Sequence, residues 1–292
     1  MLETYNVKKV IVYSRDEFKQ HNLRIELLNK SYSKLVTYTI GDIRDYDSLT
    51  TALRNVDIVF HSAAIKHVSI AEDNPYEAIK TNIIGTQNVI QAAIDNNVDK
   101  VISISTDKSV IPNNLYGSTK MCMEKLTLAA NNISTTKFSV MRFGNILCSR
   151  GSVIPVFLKL RETGNINITD RSVTRFTINI DQMTVFIVNC CNKMIGGEIF
   201  IPKLSAYSLG QLADILCSNC NINVTGLRAG ERLHEYMISE YETGIILENE
   251  NNYVICPSNN SKYIDIYGSI SVTIKRFPNN LHLFFNLSIN FP

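Results

Sequence analysis

A chain of 292 residues with 29 basic and 27 acidic side chains, a net charge of +2 and 45% hydrophobic residues can bury a full core. It carries too little charge to favour nucleic acid or an anionic membrane as partner. No apolar run approaches the roughly 20 residues needed to span a bilayer, and the N-terminus lacks a secretory pattern, so a soluble cytoplasmic protein is expected. The 7 cysteines are scattered, with Cys217 and Cys220 in a lone C-x-x-C. They read as structural thiols in a reducing compartment, with no metal site.

In chain order, residues 9–13 read as a buried strand and 17–30 as a helix with Phe18, Ile25 and Leu28 among its apolar residues. Between them stand Ser14, Arg15 and Asp16. A positive side chain just beyond a strand of a dinucleotide-binding sheet suits the 2′-phosphate of NADP. Residues 35–40 form the next strand, followed by Gly41, Asp42 and Ile43, where the acid is placed to face an adenine edge. A short helix over 47–53 and a strand over 58–62 come next. The small residues Ala63 and Ala64, just ahead of Lys66, then let the backbone approach a cofactor closely. A long helix is predicted over 75–96, with Ala78, Ile79, Asn82, Ile83, Thr86, Val89, Ile90 and Ala93 on one stripe. Strands alternating with helices give an α/β class with a doubly wound parallel sheet. Residues 1–147 are expected to form a first domain of this class.

The stretch 105–120 carries the chemistry. It leaves an apolar strand at Thr106, Asp107 and Lys108, passes Pro112 and enters an amphipathic segment near Leu115. Open α/β sheets bind ligands at the carboxyl ends of their strands. Tyr116 and Lys120 stand four apart and share a helix face. The Lys120 ammonium is therefore expected to favour the Tyr116 phenolate, which can take a proton from a substrate hydroxyl as its carbon loses a hydride.

Together with the apolar strand 138–143 that ends in Gly144 and Asn145, this arrangement resembles the extended short-chain dehydrogenase/reductase family. Further motifs narrow it: Tyr13 to Glu17, Lys66-His67-Val68, Met141 to Asn145, Cys148 to Pro155, Thr169 to Phe176, Gly196 to Lys203 and Gly226 to Glu235. The set is similar to the capsule polysaccharide biosynthesis branch, closest to the inverting UDP-N-acetylglucosamine 4,6-dehydratases, over residues 8–257. Asp107-Lys108 stands where retaining sugar nucleotide dehydratases have Asp-Glu, which favours inversion.

The resemblance implies an NADP-dependent, redox-neutral reaction on a UDP-sugar by a homo-oligomer. Thr106, Asp107, Lys108, Tyr116 and Lys120 are then catalytic. Ser14, Arg15, Asp42, Ile43, Ala63, Ala64, Lys66, Tyr116 and Lys120 line the cofactor. Lys66, Asn145, Arg150, Ser152, Arg228 and Glu231 meet the substrate. Residues 148–257 form a sugar-nucleotide-binding part, with strand 198–202 returning to the main sheet. The segment 258–292 is a divergent tail that carries no motif of the family.

Two other readings remain open on the residues. A UDP-sugar 4-epimerase shares Tyr116 and Lys120 and needs no base at carbon 5. The first glycine is Gly41, so the chain is expected to start at the second strand of a Rossmann-like sheet, without the Gly-rich turn that holds a pyrophosphate. An inactive remnant, or a binding and assembly protein, is therefore the third reading.

Overall fold

The computed structural model describes residues 6–257 and 261–270. The first unit is β1 (Val10–Ser14), α1 (Glu17–Leu27), β2 (Val36–Ile40), α2 (Tyr46–Ala52) and β3 (Ile58–His61). The helices α1 and α2 start on Asp16 and Asp45, whose carboxylates accept from the amides of Lys19 and Ser48. Next come α3 (Val68–Asp73), α4 (Pro75–Ile79), a π turn over Lys80–Ile84, α5 (Gly85–Asp95) and β4 (Lys100–Thr106). Then follow α6 (Leu115–Ala129), β5 (Lys137–Phe143), β6 (Asn145–Ile146), α7 (Val153–Leu160), β7 (Asn165–Ile168), β8 (Thr174–Ile178) and α8 (Ile180–Lys193). The chain continues through β9 (Ile199–Pro202), β10 (Ser205–Ser208), α9 (Leu209–Leu216), β11 (Asn221–Val224), β12 (Ile245–Glu248), β13 (Asn252–Cys256), α10 (Ser261–Tyr267) and β14 (Ser269–Ile270).

Among the described residues the main sheet has seven strands in the order β14-β12-β13-β9-β5-β4-β3. From β3 to β9 the pairing is parallel, and β13, β12 and β14 extend it antiparallel. Strands β1 and β2 pair parallel as a separate two-stranded sheet. Alternate residues of β4 serve opposite faces, as the period of two requires. Val101 packs with Leu49, Val89 and Ala93 beneath α2 and α5, and Ile102 packs with Met141, Phe200 and Ile187 on the side of α8. The sheet is thus covered by helices on both sides. A smaller part forms around Ile154, Phe157, Ile166, Ile168, Tyr207 and Leu212, beside the strand trio β10-β8-β6 and the pair β11-β7. No helix of the described residues is long and apolar enough to cross a membrane.

Three elements differ from expectation. The predicted helix over 75–96 contains the π turn, which fits an extra residue into one turn. The stripe is preserved at Ala78, Asn82, Thr86, Val89, Ile90 and Ala93, while Ile79 is turned outward at 38% exposure. In α1 and at its C-cap the three apolar residues named above turn outward: Phe18, Ile25 and Leu28 are 59–67% exposed, and the buried residue of the helix is Gln20. Its amide donates to the carbonyls of Ser14 and Thr39, the polar backbone of the small sheet. Part of the segment read as a divergent tail is core. Tyr263 donates to Gly196 O and Tyr267 to Lys193 O, both rings lying in the cluster of Phe200 and Cys256. Residues 258–260 and 271–292 of that segment lie outside the described residues.

His61 closes β3 in the interior, 4% exposed. The Thr86 hydroxyl donates to Asn82 O, so the proton of the 2.9 Å contact between His61 Nε2 and Thr86 Oγ1 belongs to the imidazole. Burial, with the charge of Lys120 added, depresses His61 to about 3. The neutral ring thus contributes stability that is whole above its ordinary value of 6.5 and is lost as pH falls toward 3. In urea denaturation at about pH 7.5 and about pH 4.5, the wild type is expected to lose roughly 3 kcal/mol more than His61→Asn. Equal losses would place the acid sensitivity elsewhere.

Candidate active site

Strand β4 delivers Thr106, and a short 3-10 turn, Asp107–Ser109, follows it. Asp107 is fully buried. Its Oδ1 accepts from Thr106 Oγ1 at 2.9 Å and from Lys108 Nζ at 3.0 Å. Its Oδ2 is buried with no partner, an acceptor of the kind that structures retain for a function. Lys108 Nζ also lies 3.4 Å from Glu235 Oε1. Burial works against the charge on Lys108, but Asp107 and Glu235 outweigh it and hold the ammonium above the ordinary lysine range.

Helix α6 brings Tyr116 to this turn. Asn114 caps it, Oδ1 accepting from Gly117 N at 2.8 Å, and Glu72 Oε1 accepts from Leu115 N at 2.7 Å. A side chain at Gly117 would collide with the carbonyl of Lys108, so glycine lets the helix rest directly on the turn. Gly117→Ala is expected to cost roughly 1–3 kcal/mol in denaturation and to cut turnover more than Ser118→Ala, by displacing Lys108. Unchanged turnover would show that the turn tolerates displacement. Just before the cap, Ile111 holds φ of 47°, a strained conformation for a β-branched residue. Arg232 Nη1, donating to Val110 O at 2.9 Å, fastens the adjoining backbone.

Lys120, expected to favour the Tyr116 phenolate, makes its hydrogen bonds on the strand side of the helix. Lys120 Nζ donates to Ile104 O at 2.5 Å and contacts Met123 Sδ at 2.9 Å. Its side chain runs along the floor of the helix toward β4 because the nearest acceptors lie there. Burial lowers Lys120 to about 8, with Glu124 opposing. Lys108 is a cation that acts on the phenol. Burial pushes Tyr116 up, while Lys108 and the Thr106 hydroxyl pull it back.

The smaller part contributes the opposite wall. Glu231 Oε1 accepts from Arg175 Nη2 at 3.2 Å and Thr169 Oγ1 at 3.1 Å. Arg175 in turn acts on Lys108 and on Tyr207. Burial raises Tyr207, whose phenol is met by the Asn145 side chain. Arg228 is exposed, 3.4 Å from Glu231 Oε2. Ser152 Oγ is buried without a partner, and Lys66 Nζ donates to the carbonyl of Arg150 at 3.1 Å. Thr106, Asp107, Lys108, Tyr116, Asn145 and Glu231 are therefore linked through shared neighbours.

The remaining sequence-predicted residues stand apart. At the end of β1, Ser14 Oγ accepts from Gln20, and the exposed Arg15 lies 3.4 Å from Asp42. Asp42 does not present its carboxylate outward: Arg44 Nε and Nη2 take it at 2.9 and 2.6 Å. Burial opposes ionisation there, but Arg44 and Arg15 keep the group below the usual carboxylate range. Ile43 is a core side chain. Ala63 and Ala64 sit in the loop after β3, which Asn82 clamps by bonding both the amide and the carbonyl of Ile65. Sequence reasoning missed Glu235, Arg175 and Tyr207 as members of the site. For Glu235 the signal was present, four residues after Glu231 in the same motif.

A parallel sheet with a tyrosine helix resting on a strand-end Thr-Asp-Lys turn is the architecture of the extended short-chain dehydrogenases/reductases. The model of a family described as polysaccharide biosynthesis protein matches residues 1–257, and the chain belongs to that family. It is 48% identical over 263 residues to a UDP-N-acetylglucosamine 4,6-dehydratase (inverting) of Campylobacter jejuni, covering 88% of this chain and 78% of that protein. It is 41% identical over 245 residues to a UDP-glucose 4-epimerase of Rickettsia conorii, covering 81% and 71%. The X-ray structure of Pen from Bacillus thuringiensis superposes with a TM-score of 0.81 at 40% identity, covering 85% of this chain and 81% of that one.

Proposed function

We propose that the chain is a UDP-N-acetylglucosamine 4,6-dehydratase that inverts carbon 5, uses NADP and makes a 4-keto-6-deoxy sugar nucleotide for glycan biosynthesis. The observation that carries this reading is the Asp107–Lys108 pair, buried and hydrogen-bonded at 3.0 Å beside Tyr116. A 4-epimerase needs no base at carbon 5. The 48% identity to the inverting dehydratase of Campylobacter jejuni supports the same choice. A cytoplasmic homo-oligomer belongs to this reading.

The residues present suit the two ends of a nicotinamide dinucleotide. The clamped loop of small residues at Ala63 and Ala64 and the buried ammonium of Lys120 suit its nicotinamide end. The exposed guanidinium of Arg15 suits a 2′-phosphate. When bound, the group accepts a hydride from carbon 4 and returns it at carbon 6, so the net change is loss of water.

Tyr116 takes the proton of the hydroxyl on carbon 4, relayed by Thr106. The 4-ketone so formed acidifies the hydrogen on carbon 5. Asp107 and Lys108 hold one acceptor and one donor, which are the base for carbon 5 and the acid for the departing hydroxyl of carbon 6. With Lys108 an ammonium, Asp107 takes the carbon 5 proton and Lys108 protonates the departing hydroxyl, and proton transfer along the hydrogen bond between them restores the pair to its starting charge. A proton from solvent, balancing the one lost by the carbon 4 hydroxyl, reaches carbon 5 from the opposite face and gives inversion. Arg228 and Glu231 hold the diphosphate and ribose, and Asn145, Arg150, Ser152 and Lys66 orient the sugar.

The test is incubation of purified protein with UDP-N-acetylglucosamine and either NADP or NAD. A product that has lost one water, formed faster with NADP, is expected. Formation of UDP-N-acetylgalactosamine with no loss of water would overturn the reading.

A further inference from the structure

Arg142 stands one residue before the end of β5, between Met141 and Phe143, and is only 3% exposed. Its Nε and Nη2 form a fork on Glu124, 3.0 Å to Oε1 and 2.7 Å to Oε2. Its remaining nitrogen, Nη1, reaches the other way, to Met237 O at 3.1 Å and Glu242 Oε1 at 2.6 Å. Glu124 faces the catalytic turn as well: Ser105 Oγ donates to its Oε1 at 2.5 Å, and Ser109 Oγ lies 2.7 Å from both Oε1 and the Thr106 carbonyl. Burial opposes the charge on Glu124, but Arg142 and the two serines keep it ionised.

A buried ion network of this kind adds little stability over well-packed apolar side chains, so its position is the informative feature. It joins three elements. The turn holding Asp107 and Lys108 hangs from Glu124 through Ser105 and Ser109. Helix α6 carries Glu124 two turns beyond Tyr116. The third is the arm 230–242, which lies across the turn through Gly230 O to Asn114, Arg232 to Val110 O and Glu235 to Lys108. One guanidinium therefore holds both the underside of the catalytic turn and the far end of the arm.

We infer that Arg142 and Glu124 are positioning residues that couple docking of the arm to the geometry of Asp107 and Lys108. The inference deepens the proposed function and rests on it for its catalytic meaning. Since Arg228 and Glu231 lie just before the arm's first contacts, occupation of the sugar-nucleotide wall is transmitted through this network to the turn that performs the elimination.

The experiment is hydrogen–deuterium exchange on the full chain, comparing wild type with Glu242→Gln, which keeps the side-chain volume and lies at the partly accessible end of the network. Coupling predicts roughly 2- to 30-fold faster exchange both in the arm and in the amides of Lys108 and Val110, although Glu242 touches neither. Ser109→Ala is expected to speed exchange in the arm reciprocally. Faster exchange confined to the segment carrying the substitution, or no change in either, overturns the inference. In turnover, Glu242→Gln should lower kcat by more than it raises KM, whereas an arm serving only to bind would shift KM alone. If the wild type forms no dehydrated product, the proposed function fails, and the exchange result still decides the coupling.

Discussion

Tyr116→Phe is expected to lower kcat by about 100- to 10,000-fold, the usual worth of a positioned acid–base group, with little change in thermal stability. The ring stays, so the packing of α6 on the turn is preserved, and only the hydroxyl beside Thr106 is removed. Tyr207, whose phenol also feels Lys108 and Asp107, is met by the Asn145 side chain. Because burial holds Tyr116 above its ordinary range, the phenolate must be formed within the assembled site. Turnover of UDP-N-acetylglucosamine by the variant, with a melting curve as control, measures this. Activity within a few fold of wild type at an unchanged melting temperature would remove Tyr116 from the chemistry.

Lys120→Met is expected to abolish turnover and yet stabilise the fold. The folded value of Lys120, about 8 against an ordinary 10.5, means that at neutral pH the chain carries a buried ammonium at a cost of roughly 3 kcal/mol. The sign follows from linkage: the folded protein sheds this proton before the unfolded chain does. The cost is therefore whole below pH 8 and fades as pH rises from 8 to 10.5. Methionine removes it and packs beside Met123, for a rise in melting temperature on the order of 5 °C in a chain of this size. The gain should shrink when measured above pH 8. Destabilisation at all pH values would mean that the bond to Ile104 O outweighs burial. In the wild type the ammonium is needed, so kcat/KM should fall as pH rises through about 8.

The parts of the fold written in local patterns were readable in advance. Apolar runs marked β4 and β5, and the loop after residue 105 placed Thr106, Asp107, Lys108 and Tyr116 on adjoining elements. Helix α1 was readable as a helix but not as to its face, because which side is buried depends on what the small sheet offers, and Gln20 finds carbonyls there. The Lys120 rotamer was beyond a spacing rule: residues four apart share a face, yet a buried ammonium turns to whichever acceptor is near, here Ile104 O. The pairings of Glu235 and Arg142 were hidden for a different reason. Both residues lie in motifs, but their partners Lys108 and Glu124 come from remote parts of the chain, and a motif does not show which residues pair. Tyr263 and Tyr267 show the same effect, in a stretch with no recognisable motif that nonetheless closes the core over Glu198 and Gly196.

One measurement bears most directly on the claim that Tyr116 and the Asp107–Lys108 pair act on the same sugar. With UDP-N-acetylglucosamine and NADP in deuterium oxide, the protein is expected to release one water per sugar and leave one deuterium on carbon 5, in inverted configuration. A product that keeps its carbon 6 hydroxyl, or whose carbon 5 retains protium, would contradict it.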